Sequence, residues 1–232
     1  MQRLDCRNVA DYLDILDRRE DRRQECELLM TVSISRFFRD RRLWEILENR
    51  WLPDIISKYP AKIRVWSAGC ACGEEAYSFK IIWEQLRNRI DSIPQLQMMA
   101  TDRHPEYLEK ARKGVYSVSS LREVAPEERA IYFKSAKGTK QMAIESDLKN
   151  NICWRIHHLL TAPPGSDYNV IFLRNNILTY YRPKIQKRSL NLILNCLSPG
   201  GFLIIGLHES LPFQTPAIIS MPPFSFVFKK EG

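Results

Sequence analysis

The sequence predicts an α/β domain whose mostly parallel sheet lies between two helical layers and carries a reversed strand at one edge. Three observations carry this. Strand-like and helix-like stretches alternate from residue 62 onward. The run YNVIFL, Tyr168–Leu173, is apolar enough for a strand buried on both faces. The chain finishes on two β runs, 202–206 and 224–228, with no helix period between them. At 232 residues and 44% hydrophobic content, the chain suffices for one well-buried domain with a small appendage rather than for two domains.

Residues 9–30 read as helical, with Tyr12, Leu13, Ile15, Leu16, Leu28 and Leu29 apolar and no Pro or Gly to interrupt them, so 1–30 forms a short N-terminal segment ahead of a main domain, 31–232. Residues 31–40, TVSISRFFRD, resemble a lid. A helix over 41–59 buries Leu43, Trp44, Leu47, Trp51 and Leu52 and stops at Pro60. The stretch KIRVWSAGCACGEEAYSFKIIW, 62–83, then gives a strand through Ile63, Val65, Trp66 and Ala68. A loop follows in which Gly69, Ala71 and Gly73 keep bulk away from a ligand, then a helix over 73–89 striped by Tyr77, Ile81 and Leu86. A short strand, 97–101, ends in Asp102. Pro105 opens a helix closed by Gly114, and Pro126 opens another through 133. QMAIE and NICWRIH, either side of a turn at 147–151, predict a hairpin appended to the main sheet within about 137–157. Tyr168–Leu173 delivers Arg174, Asn175 and Asn176 at its carboxyl end, where doubly wound sheets place ligands. From Pro183, a helix buries Leu190, Ile193, Leu194 and Leu197, shows a basic outer face and is ended by Pro199-Gly200-Gly201.

The loop after the first strand opens onto a helix N-terminus, yet Glu74 and Glu75 in the first turn would repel a pyrophosphate, and no Lys-Ser/Thr follows Gly73. A ligand with positive charge fits better. S-adenosylmethionine, with a sulfonium, an ammonium and a ribose but no phosphate, meets that requirement; a glycine turn with acidic helix capping is the alternative. Asp102 lies where an acid grips a ribose diol in nucleotide-type folds, or else caps the helix from Pro105. His157 and His158, adjacent on a strand, point to opposite faces and make a poor metal pair, so no metal site is expected; His208-Glu209 stays ambiguous.

No apolar run approaches the roughly 18 residues of a membrane span, and the charged start has no signal-peptide core, so a cytoplasmic protein is expected. Six cysteines, at 6, 26, 70, 72, 153 and 196, lack the paired spacing of a zinc cluster. The net charge of +8 comes largely from arginine clusters interleaved with acids. That pattern suits a solvated face with internal ion pairs, disfavours nucleic acid, and is compatible with an acidic protein partner.

ISRFFRD, WSAGCACGEEAYS, ATDRHPEYLEKARKGVY, LREVAPEERAIYF and IFLRNNILTYYRPKIQKRSLNLILNCLSPGGFLIIG together resemble the chemotaxis receptor glutamate methyltransferases, the CheR family, from about residue 33 to the end. The resemblance implies a Rossmann-like methyltransferase that esterifies glutamates of a protein substrate, a chemoreceptor-like signalling protein, with S-adenosylmethionine. It implies that Ser33, Ser35 and Arg39 contact the cofactor from the N-terminal side, with Gly69 in the cofactor loop. Glu75 would lie near the methionyl part, Asp102 on the ribose, His158 and Leu159 beside the adenine, and Arg174 and Asn175 after the fourth strand. Tyr180 would stand beside the transferring methyl, and Arg39 and Tyr180 are the candidate catalytic residues. The 140–157 stretch resembles the family's small β-subdomain. The sequence departs from the family pattern at Ser33, Cys72, Ala76 and His158. Two other functions stay open: methylation of a small molecule or nucleic acid, and a regulator that binds the cofactor without catalysis.

Overall fold

The computed structural model describes residues 35–136 and 138–231. The 9–30 helix, the arginine clusters within it and Ser33 lie outside the described residues. The 41–59 helix is divided into α1 (Arg41–Ile46), a π-helical turn (Leu47–Trp51) and α2 (Leu52–Lys58). The cause is Pro53, which has no N–H to donate and whose ring would strike the carbonyl four residues back; the wider turn ahead of it relieves both. The chain continues through β1 (Lys62–Ala68), α3 (Glu74–Arg87), β2 (Gln95–Asp102), α4 (Pro105–Lys113), β3 (Val115–Ser117), α5 (Pro126–Tyr132), β4 (Phe133–Ser135), β5 (Gln141–Ile144), β6 (Ile152–Ile156), β7 (Tyr168–Leu173), α6 (Ile177–Tyr180), α7 (Pro183–Asn195), β8 (Leu197–Ile205), β9 (Ile218–Met221) and β10 (Phe224–Lys230).

Seven strands form the main sheet in the order β6-β2-β1-β7-β8-β10-β9. The first five run parallel, and β10 is antiparallel to both β8 and β9. The reversed strand therefore sits one place in from the edge, with β9 paired outside it. The predicted 140–157 hairpin does not form. β6 joins the main sheet beside β2, whereas β5 pairs with β3 and β4 in a separate three-stranded sheet. The small β-subdomain is thus assembled from 115–117, 133–135 and 141–144. The segment read as a hairpin turn holds a 3₁₀ turn, Ser146–Lys149, that carries the chain from one sheet to the other. Nor does Pro199-Gly200-Gly201 end α7; the helix stops at Asn195, and these residues lie inside β8 where its pairing with β7 shifts register.

Large rings fill both faces of the sheet. Trp44 stacks on Phe172 with centroids 5.4 Å apart, and Trp51 on Phe202 at 5.2 Å, so α1 and the π turn cover β7 and β8. Lys230 closes α7 by donating to the carbonyls of Leu194 (2.9 Å) and Leu197 (2.7 Å), placing a cation at the negative end of the helix. Register aligns the carboxyl ends of the parallel strands: Ala68 faces Thr101, Asp102 faces Ile156, and Leu173 faces Ile205. Strand order reverses between β1 and β7, so the loops leaving them part and open a crevice at that rim.

Candidate functional site

The loop leaving β1 is shaped by its own backbone. Gly69 has φ +80° and Gly73 φ +90°, and Ala71 is left-handed at φ 48°, a strained state for a residue with a Cβ. The glycines make room for neighbouring protein atoms. A Cβ on Gly69 would fall 2.7 Å from Asn176 Nδ2, which donates to the Ala68 carbonyl at 2.7 Å; one on Gly73 would strike Trp154 and Ala111. The loop is pinned from β2: Asp102 Oδ2 accepts from Ala71 N at 2.9 Å, and Oδ1 from His104 N at 3.0 Å. Asp102 is not the cap of α4, whose N-cap is His104. Burial raises the Asp102 carboxyl above its usual range, against the two backbone N–H groups that favour its anion.

The first turn of α3 faces the same crevice. Ser67 Oγ donates to Glu75 Oε1 at 2.7 Å, and Arg174 Nη1 to Glu75 Oε2 at 3.4 Å, while Arg174 also pairs with Asp40. Arg39 favours the Glu75 anion through its charge, although burial is the largest influence and raises the Glu75 carboxyl. Glu74 is buried. Ser35 hydrogen-bonds its carboxyl, Oε2 has no partner among the described residues, and burial raises this carboxyl too.

The segment around Arg39 is not a lid. Phe37 and Phe38 are fully buried, Phe37 N donates to the Ser120 carbonyl (3.1 Å), Phe38 N to Ser78 Oγ (2.9 Å), and Trp44 Nε1 to the Arg39 carbonyl (2.9 Å). Two inward phenylalanines make it a fixed strap, with Phe38 and Asp40 held at positive φ. Arg41 fastens it to α5 through two bonds to Glu128, 2.7 and 2.9 Å.

On the far side of the crevice, Asn175 is left-handed at φ 53° and its N–H donates to Glu209 Oε2 at 3.0 Å. Glu209 also accepts from Gly206 N (2.6 Å) and Thr179 Oγ1 (2.5 Å), which binds the rim after β8 to α6. His157 and His158 follow β6 rather than lying in it. His157 N donates to the Asp102 carbonyl as a last rung, and its Nε2 lies 2.9 Å from the Ala162 carbonyl. His158 is exposed, with Nδ1 accepting from Leu160 N at 3.3 Å, and Leu159 packs partly against the core. Tyr180 is 56% exposed at the end of α6.

Ser35, Arg39, Gly69, Glu75, Asp102, Arg174 and Asn175 thus gather along one rim; His158, Leu159 and Tyr180 stand at its two flanks. Sequence reasoning missed Ser67 and Asp40, placed Asn176 at the rim without its bond to the Ala68 carbonyl, and left Glu209 undecided. No group of metal-ligating side chains occurs among the described residues, and no helix there is long and apolar enough to cross a membrane. A groove of about 410 Å³ lies elsewhere, near the amino ends of β2, β6 and β7, lined by Arg64, Gln97, Cys153 and Tyr168 among others. It shares no residue with the rim.

The family described as CheR methyltransferase, SAM binding domain, matches residues 33–223. The chain is 32% identical over 186 residues to the chemotaxis protein methyltransferase of Vibrio parahaemolyticus, covering 78% of this chain and 66% of that protein. It is 32% identical over 183 residues to the chemotaxis protein methyltransferase of Listeria innocua (79% and 67%), and 31% identical over 201 residues to chemotaxis protein methyltransferase 1 of Vibrio cholerae (85% and 72%). It spans about two thirds of the length of these relatives.

Proposed function

This chain belongs to the CheR methyltransferase family, and from that premise we propose that it transfers a methyl group from S-adenosylmethionine to a glutamate carboxylate of a protein, the expected acceptor being a chemoreceptor-like signalling protein. The observation that carries the reading is the acidity of the rim. Glu74, Glu75 and Asp102 are all drawn out of water beside one loop, where a phosphate would be repelled and a cation is favoured. Glu74 Oε2, without a partner among the described residues, is a place where a cationic ligand with N–H donors would fit.

In this reading Asp102 holds the ribose diol, since each of its oxygens, already bonded to one backbone N–H, keeps acceptor capacity. Glu75 and Arg39 flank the methionyl end with Ser35. Arg174 and Asn175 shape the opposing wall, and His158 with Leu159 borders the adenine. The cofactor supplies an electrophilic methyl on a sulfonium. The acceptor needs no base, because a glutamate with an ordinary pKa of about 4.3 is already an anion at neutral pH. What the chain contributes is alignment and exclusion of water. Charge is neutralised as the reaction proceeds, so a tight ion pair between Arg39 and the attacking oxygen would favour the ground state. Arg39 therefore positions, and Tyr180 lines the approach.

The test is transfer of tritiated methyl to candidate protein acceptors at saturating cofactor. A rate nearly flat from about pH 6 to 8, and label released as methanol in mild alkali, are the expected results. Alkali-stable label with a rate climbing several-fold over that range would refute carboxylate methylation.

A further inference from the structure

Between Tyr168 and His208 the chain contains Arg174, Arg182, Lys184, Lys187 and Arg188 and no Asp or Glu, although acids elsewhere make the average about one residue in nine (27 in 232). Arg174 is engaged inside the site with Glu75 and Asp40. The other four are exposed, and among the described residues none of them forms an ion pair, whereas Arg36, Arg41, Lys80, Arg89 and Lys134 all do. Lys184, Lys187 and Arg188, followed by Asn191, fall at i, i+3, i+4 and i+7 and so form one stripe along α7, opposite the buried Leu190, Ile193 and Leu194.

The stripe begins at the site. Gln186 donates from its side-chain amide to the carbonyls of Leu178 (3.0 Å) and Tyr181 (2.7 Å), which fixes the first turn of α7 against α6 and hence beside the exposed Tyr180. No side chain caps the N-terminus of α7, so the positive end of its dipole adds to the lysines there. Exposed Ile185 lies next to the stripe, and exposed Leu207 follows β8 on the crevice rim.

We propose that this face, running from Tyr180 along Lys184, Lys187 and Arg188, docks the acidic polypeptide segment that carries the acceptor glutamate. It rests on the carboxylate-methylation reading for the purpose of docking. Charge complementarity selects the occupant. The stripe spans about 10 Å, two turns of a partner helix, and its cations are spaced as carboxylates three and four residues apart would be. Ile185 beside it suits apolar side chains of a polypeptide rather than a run of phosphates.

The experiment uses the full chain with S-adenosylhomocysteine and a fluorescent helical peptide of about 20 residues. One peptide has a central glutamate flanked by glutamates at three-, four- and seven-residue spacing; the other has glutamines there. At low salt the acidic peptide should bind about tenfold tighter, three exposed pairs each contributing a factor of about two. Lys184→Glu/Arg188→Glu should abolish that preference, Lys184→Gln/Arg188→Gln should reduce it about fourfold, and the distant Lys62→Glu/Lys113→Glu should retain it, all with unchanged melting. Equal binding of the two peptides, or equal loss in the α7 and distant variants, would overturn the proposal. So would a DNA duplex of matched charge that binds tighter and is lost with the same α7 variant, which would reassign the face to nucleic acid. Because binding is read without transfer, a peptide that docks but is never methylated refutes the methylation reading alone, and one methylated regardless of the α7 variant refutes docking alone.

Discussion

Asp102→Asn separates the two tasks assigned to this residue. The carboxylate pins Ala71 and His104 through one oxygen each, at 2.9 and 3.0 Å. Asparagine offers one oxygen, so its NH₂ must confront whichever backbone N–H the oxygen does not take. The lost charge-assisted bond is worth about 1.5–3 kcal/mol, partly offset because the amide spares the domain the burial of an anion. A net loss of about 1–2 kcal/mol follows, or roughly 2–8 °C in melting temperature for a domain of this size. If the carboxylate also receives the ribose diol, one of two such bonds is lost there, and affinity for S-adenosylhomocysteine should fall about 10- to 100-fold. Calorimetric titration at 25 °C, where the variant remains folded, reads the second effect free of the first. Lowered melting with affinity unchanged within about twofold would refute the ribose assignment and leave Asp102 as a loop anchor alone.

Two further predictions concern the rim. Burial raises Glu74, Glu75 and Asp102 in the folded state, so their ionised forms work against folding; that contribution to stability is present below the unfolded value of about 4 and is lost as pH rises through the raised folded values. The unliganded domain should therefore gain stability from these groups as pH falls through their raised folded values toward the unfolded value of about 4, while the melting shift given by cofactor shrinks if its binding uses the anions; a shift that widens would refute this reading. Glu128 does not confuse the window, since the Arg41 and Ala125 bonds outweigh its burial and lower it, and its contribution is lost only at more acid pH. Gly69→Ala combines a left-handed φ with a Cβ 2.7 Å from Asn176 Nδ2, and should cost about 1–3 kcal/mol in denaturant titration; a loss below about 0.5 kcal/mol would refute the packing argument.

The fold was legible where one segment decides its own structure. β1, α3, α4 and β7 carry their period, their proline starts or their glycine ends in the sequence, and the structure gives them within a few residues. Partners in space were harder. QMAI and ICWRI are both strands, but only the distant edges of β2 and of the 115–117 and 133–135 strands determine which sheet each joins, and the intervening turn composition suits either outcome. The π turn ahead of Pro53 was readable from the proline alone, and the fixed strap from the Phe37-Phe38 pair, once burial is weighed above loop-like polarity.

The site divides along the same line. Its acids and Arg174 could be placed because each sits at the end of a recognisable strand or the start of a helix, whereas Ser67, Asp40 and Glu209 act across 8, 134 and 34 residues of sequence, respectively. What distance in sequence hides most is the charge balance. Arg174 answers Glu75 and Asp40, and Glu74 has one oxygen without a partner among the described residues in a buried place, an arrangement that costs on the order of 1–3 kcal/mol where nothing else meets it. A cost of that kind is tolerable where a ligand removes it. A cationic ligand donating to Glu74 would recover that cost on binding, so affinity would be gained from an interaction the empty domain lacks.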